Sequence, residues 1–201
     1  MDNNKSFWDR TAKLYSPIQG FSNRKLYRRL TDMCRAYLPE DARVLELACG
    51  TGQFTYPLCG LVKSWEATDF SESMIAQAKK VPCSAHFSCQ DATKLPYANR
   101  SFQVVLIANA LHIMPDPLTA LSEIHRVLQP GGILLAPTFI YEGKVNELRM
   151  RLTEMAGFRT FHRWKEQEFC AFVEGCRFRC ICSELVPGDP LPVAFSVFRK
   201  I

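Results

Sequence analysis

Residues 44–52 of this 201-residue chain read Val-Leu-Glu-Leu-Ala-Cys-Gly-Thr-Gly. A carboxylate, Glu46, sits in an apolar run that breaks into a loop at Gly50 and Gly52. Glycine lacks a Cβ and takes positive φ freely, so such a loop lets backbone come close to a ligand. Asp69 stands 19 residues after Gly50, where a carboxylate can accept both hydroxyls of a ribose. Asp91, within Cys89-Gln90-Asp91-Ala92, can accept from an exocyclic amine, and Asn109-Ala110-Leu111-His112 adds an amide and an imidazole. These groups suit a nucleotide-like ligand held beside a reacting atom. His112 is the candidate general base; packing as a loop or helix-cap histidine is its alternative.

Elements of two kinds must position these residues. Val44–Ala48, Ser64–Thr68, Ala85–Ser88, Val104–Ala108 and Ile133–Ala136 read as strands, three of them nearly continuous apolar runs of the kind buried on both faces. Helix-like stretches alternate with them. One starts at Ser71, an N-cap, with Met74, Ile75 and Ala78 on one face. Another starts at Asp116-Pro117, carries Leu118, Leu121, Ile124, Val127 and Leu128 at helical spacing, and ends at Gln129-Pro130-Gly131-Gly132. The alternation predicts a Rossmann-like, doubly wound α/β sheet. Arg177–Glu184 and Val193–Arg199 are strand-like and joined by a loop too short for a crossover helix, so they are expected to pair antiparallel. The expectation is seven strands, mostly parallel, with the last antiparallel. One domain spans 1–201. Residues 1–39 form an N-terminal helical cover, 43–138 the ligand-binding core, 139–175 a second cover, and 176–201 the C-terminal strand pair. Helical regions at 4–38 and 141–157 are expected over the carboxyl end of the sheet, where open α/β folds bind ligands.

Length and composition agree with one domain that has a full core. Apolar residues make up 47% and charged residues 22%, which is ordinary for a globular chain. The first residues lack the apolar core of a signal peptide, and no apolar run reaches the roughly 20 residues a bilayer span needs. A cytoplasmic protein without stable membrane insertion is therefore expected. Nine cysteines in such a chain read as free thiols. A net charge of +5, with bases and acids mixed, does not mark a nucleic-acid-binding protein.

The ordered segments Val44–Gly52, Ala67–Met74, Gln90–Pro96, Phe102–His112 and Leu128–Leu134 together resemble the class I S-adenosylmethionine-dependent methyltransferases. The nearer likeness is to the small-molecule branch that includes ubiquinone/menaquinone-type enzymes, whose opening helix Phe7-Trp8-Asp9-Arg10…Leu14-Tyr15 also resembles. The resemblance implies S-adenosyl-L-methionine as cofactor and methyl transfer to a small-molecule acceptor by in-line displacement. It implies that the loop at Ala48, Gly50 and Gly52 holds the methionine part, that Asp69 holds the ribose, that Phe70 and Met74 lie beside the adenine, and that Glu46 is among the cofactor-binding residues. It further implies that Asp91 and Ala92 bind the adenine edge and that Tyr15 approaches the cofactor from the N-terminal cover; Asn109, after the fourth strand, is a further cofactor-binding candidate. Glu46 departs from the aspartate of many relatives but keeps the acid. No metal is required.

Several groups remain to be weighed. Cys170, Cys176, Cys180 and Cys182 match no ordinary zinc spacing and read as packing. Lys25, Arg28 and Arg29 share a helix face, read as solvated. Phe139, Tyr141, Phe158, Phe161, Trp164, Phe169 and Phe172 crowd the second cover, and one or two of them are expected to line an apolar or aromatic acceptor pocket. Two rivals stand beside the methyltransferase reading. An NAD-dependent oxidoreductase is disfavoured by Thr55 at the third small position of its loop and by Glu46. A non-catalytic S-adenosylmethionine-binding module fits the same loop and acids. Monomer and homodimer are both open.

Overall fold

The structure is a computed structural model that describes residues 4–12, 23–143, 146–155 and 158–201. A helix α1 (residues 4–12) is followed by α2 (Arg24–Arg35), β1 (Arg43–Leu47), the short α3 (Thr55–Leu58) and β2 (Ser64–Asp69). Then come α4 (Glu72–Ala78), β3 (His86–Cys89), β4 (Phe102–Ile107), α5 (Pro117–Val127) and β5 (Leu128–Leu135). The chain closes with β6 (Thr138–Phe139), α6 (Glu147–Met155), α7 (Glu166–Glu174), β7 (Phe178–Val186) and β8 (Val193–Lys200).

The sheet runs β3-β2-β1-β4-β5-β8-β6, with β7 on the other side of β8. β1 pairs in parallel with both β2 and β4, so the order reverses beside β1 and leaves a crevice at its carboxyl end. β8 is antiparallel to β5, β6 and β7. That agrees with the mostly parallel sheet and antiparallel last strand expected from sequence. Among the described residues the sheet has eight strands, where the sequence predicts seven. The addition is the two-residue β6, which continues the line of β5 along β8 after Pro137. Proline has no N–H for a ladder, so the strand breaks there.

Apolar alternation divides the sheet's side chains between two faces. On one face Leu26, Leu30 and Cys34 of α2 pack over Val44, Val104, Phe195 and Val197. On the other, Leu121 and Ile124 of α5 and Phe169 and Val173 of α7 pack over Leu45, Val105 and Phe198. α2 therefore lies on a sheet face, not over the sheet's carboxyl end as the sequence suggests. Its exposed Lys25, Arg28 and Arg29 face away from the sheet, and Arg29 pairs with Glu184 at 2.5 Å. Both sequence-read helix starts are capped as expected. The Ser71 hydroxyl accepts from Met74 N, and Asp116 accepts from Thr119 N. Among the described residues no helix is long and apolar enough to cross a membrane.

Candidate functional site

A cavity of about 330 Å³ opens over the carboxyl ends of β1, β2, β3 and β4. Its lining brings together Glu46, Ala48, Gly50, Asp69, Phe70, Met74, Asp91, Ala92 and Asn109, nine of the twelve residues singled out from sequence.

The loop after β1 is built on left-handed backbone, with φ of 52° at Ala48, 56° at Gly50 and 93° at Gly52. Asp69 clamps it. One Asp69 oxygen accepts from Gly50 N and the other from Ser71 N, both at 2.8 Å. A carboxylate oxygen can accept twice, so each keeps capacity for a ligand hydroxyl. Burial raises the Asp69 carboxyl above the ordinary range, opposed by these backbone bonds. Asp91 folds onto its own turn, its Oδ1 accepting from Thr93 N at 2.8 Å and from the Thr93 hydroxyl at 2.7 Å.

Glu46 is 2% exposed at the cavity floor. The Thr55 hydroxyl donates to its Oε2 at 2.6 Å and the Trp65 indole N–H donates to the same atom at 2.8 Å. Burial pushes its carboxyl up to about 7; the two bonds oppose the shift and the charge of Asp69 adds to it. Thr55 and Trp65 are residues that sequence reasoning missed. Thr55 reads from sequence only as a departure from a dinucleotide loop. No local pattern marks a tryptophan on the next strand as the partner of a buried acid.

Asn109 has φ of 52°, and its backbone N–H donates to Pro137 O at 2.7 Å. Both polar atoms of its side-chain amide are buried without a partner in the described residues. A buried amide left so is costly, which points to a partner supplied by a ligand.

Three expectations fall differently. Gly52 is not on the cavity lining: a Cβ there would meet the Tyr56 ring at 2.7 Å, so the turn and Tyr56 already require the glycine. His112 is 4% exposed and lies outside the cavity lining. Its ring meets Phe139 edge-on at 5.9 Å, and burial, with His162 adding, lowers it to about 3. That placement favours the packing alternative. Tyr15 lies outside the described residues. Phe139 and Tyr141 are also absent from the lining. His162 stacks on Trp164 at 4.7 Å within the second cover.

The wall opposite the strand ends comes from α1 and the segment after β4. Asn4, 4% exposed, donates to Ile113 O at 3.0 Å and Arg159 O at 2.9 Å, and accepts from Arg159 N at 3.0 Å. Asp9 accepts from the Ser71 hydroxyl at 2.5 Å and pairs with Lys5 at 2.9 Å. Trp8, Tyr27, Phe54, Ile113 and Met114 complete an apolar lining that sequence reasoning did not identify. Among the described residues no group of three or more His, Cys, Asp or Glu is arranged to hold a metal. Cys170 and Cys180 stand with sulfurs 3.9 Å apart, away from the cavity.

Comparison with known proteins bears on this arrangement. A family model described as "Methyltransferase domain" matches residues 45–136. A demethylmenaquinone methyltransferase of Staphylococcus haemolyticus is 31% identical over 178 residues, covering 82% of this chain and 72% of its own. An uncharacterized chloroplastic methyltransferase of Arabidopsis thaliana is 30% identical over 171 residues, or 74% of this chain and 48% of its own. The chain spans about half the length of the first curated relatives it matches. A Thermotoga maritima structure described as an S-adenosylmethionine-dependent methyltransferase, possibly a histamine N-methyltransferase, superposes with a TM-score of 0.78 at 22% identity, covering 96% of this chain and 97% of that one. That last likeness speaks for the fold alone.

Proposed function

The chain belongs to the class I S-adenosylmethionine-dependent methyltransferases, and from that premise we propose that it transfers a methyl group from S-adenosylmethionine to a small-molecule acceptor by in-line displacement. The observation that carries this reading is the convergence of four strand ends on one cavity, with the Ala48–Gly50 loop, Asp69, Asp91 and Asn109 all on its wall. The residues fit the cofactor. Asp69 keeps acceptor capacity for ribose hydroxyls, Asn109 presents an unpartnered amide, and Phe70 and Met74 offer apolar surface for a purine.

When bound, the sulfonium supplies a methyl group already activated for displacement. The protein's task is alignment and exclusion of water, and orientation can supply roughly 7–11 kcal/mol of a barrier. Asp69 fixes the loop and the start of α4 in one frame, which sets the spacing of the donor's two ends. Asp91 and Ala92 border the purine end, and Glu46 lies at the amino-acid end. α1, held by Asn4 and Asp9, roofs the cavity. His112 packs the loop behind the wall and exchanges no proton with the acceptor.

The lining from Trp8, Ile113 and Met114 suits an apolar or aromatic acceptor. One relative is named as a demethylmenaquinone methyltransferase, so a demethylated quinol ring is the first acceptor to test. Calorimetry with S-adenosylmethionine and with NAD checks the donor. Binding of the first and not the second is expected; the reverse would overturn the proposal. Asp69→Ala should weaken donor binding by about 1.5–3 kcal/mol. Formation of S-adenosylhomocysteine with the quinol separates an enzyme from a binding module.

A further inference from the structure

We propose that Thr55 and Trp65 are positioning residues that hold Glu46 as a proton-linked anchor, so that a cationic ligand group docking at this end of the cavity displaces a proton from the protein. The proposal rests on the methyl-donor reading above, because the amino-acid end of that donor carries an ammonium group.

Glu46 has an unusual set of partners for a carboxylate. Both its hydrogen bonds go to Oε2, from two different elements: Thr55 on α3 and Trp65 on β2. No hydrogen bond reaches Oε1 among the described residues. Thr55 is fully buried and Trp65 is 2% exposed, so neither donor can swing away to water. The carboxyl is held by one oxygen and lines the cavity.

Among the described residues no cation compensates it. The charged and titratable groups that face it are Asp69 from β2, Cys34 from α2, Cys49 from the loop, Tyr56 from α3 and Cys83 after α4. None is basic. Lys5 lies on the same cavity but is engaged by Asp9 and sits over Phe70. A buried carboxylate without a cation is costly and takes up a proton instead. Burial accordingly holds the Glu46 carboxyl near 7, where both forms coexist at neutral pH. The ionised form gains most from an incoming ammonium. Thr55 and Trp65 stabilise that form, since both donate, and so set the pH at which the exchange occurs.

The balance is simple. The protonated carboxyl loses H⁺ to solvent, the carboxylate pairs with the ligand cation, and no other bond changes. Affinity should therefore rise with pH up to about 7, and fall again once the ligand ammonium itself loses its proton near pH 8.

Calorimetry with S-adenosylmethionine in phosphate and in imidazole, whose ionisation enthalpies differ, counts the protons released. The wild-type protein should release about half a proton per ligand at pH 7 and most of one at pH 6. Glu46→Gln should abolish the release. Thr55→Val and Trp65→Phe should each shift the release profile upward by about one pH unit, and Thr55→Ser should restore it. Two separate variants keep the test open if one fails to fold. Binding without proton release in the wild type, or an unshifted profile in folded Thr55→Val and Trp65→Phe, would overturn the inference. Absence of any binding would instead overturn the methyl-donor reading, and this inference with it.

Discussion

At the scale of single residues, the buried acid sets function against stability. The Glu46 carboxyl stands near 7 in the folded chain against an ordinary value of 4.5. A group raised on folding contributes its stability at low pH, and that contribution fades as pH climbs from about 4.5 to about 7. Glu46→Gln keeps an acceptor for Thr55 and Trp65 but has no proton to lose. At pH 8 it should make the ligand-free protein more stable by up to about 3 kcal/mol, while at pH 4 the two melting temperatures converge. Equal melting temperatures at pH 8 would contradict the burial argument. His112 makes the opposite prediction. With its imidazole lowered to about 3 and its ring packed on Phe139, it is neutral across the working range. His112→Gln should leave the pH dependence of methyl transfer unchanged. Loss of the acidic limb of that profile would restore it as the base. The acids Glu46, Asp69 and Asp91 were legible in the sequence because each ends or interrupts an apolar strand. The placement of the His112 ring was not legible, because strand-end position says nothing about which side of the wall a ring occupies.

At the scale of elements, Ser71 joins two structures with one hydroxyl. It accepts from Met74 N as the cap of α4 and donates to Asp9 on α1. Ser71→Ala should cost about 1–2 kcal/mol through the lost cap and leave the Asp9 carboxylate short of a donor. Chemical denaturation measures the first effect. The second should appear as weaker ligand binding out of proportion to the loss of stability. The caps at Ser71 and Asp116 were legible because capping is local chemistry. The break of β5 at Pro137 was not, because a proline after an apolar run reads equally as the end of a strand. α2 was misplaced for a related reason: amphipathic spacing shows that a helix buries one face, not which surface receives it. Here Leu26, Leu30 and Cys34 meet the sheet.

At the scale of the whole molecule, the two walls of the cavity differ in how they are encoded. The strand-end wall comes from successive strand ends in a contiguous stretch, so its pattern survives in the sequence. The opposite wall is assembled from α1, α2 and the turn at Ile113–Met114, far apart in the chain, and carries no spacing rule. Trp8→Ala should raise the KM for an aromatic acceptor several-fold and change donor affinity little; equal losses on both sides would place Trp8 against the donor. The same assembly governs time as well as selectivity. α1 is pinned by Asn4 to the turn at Ile113 and to Arg159. If a bound product leaves past α1, those bonds have to break together first, and its residence rather than the displacement sets the turnover rate. Asn4→Ala, read in stopped-flow release of S-adenosylhomocysteine, should shorten that residence while weakening equilibrium binding much less.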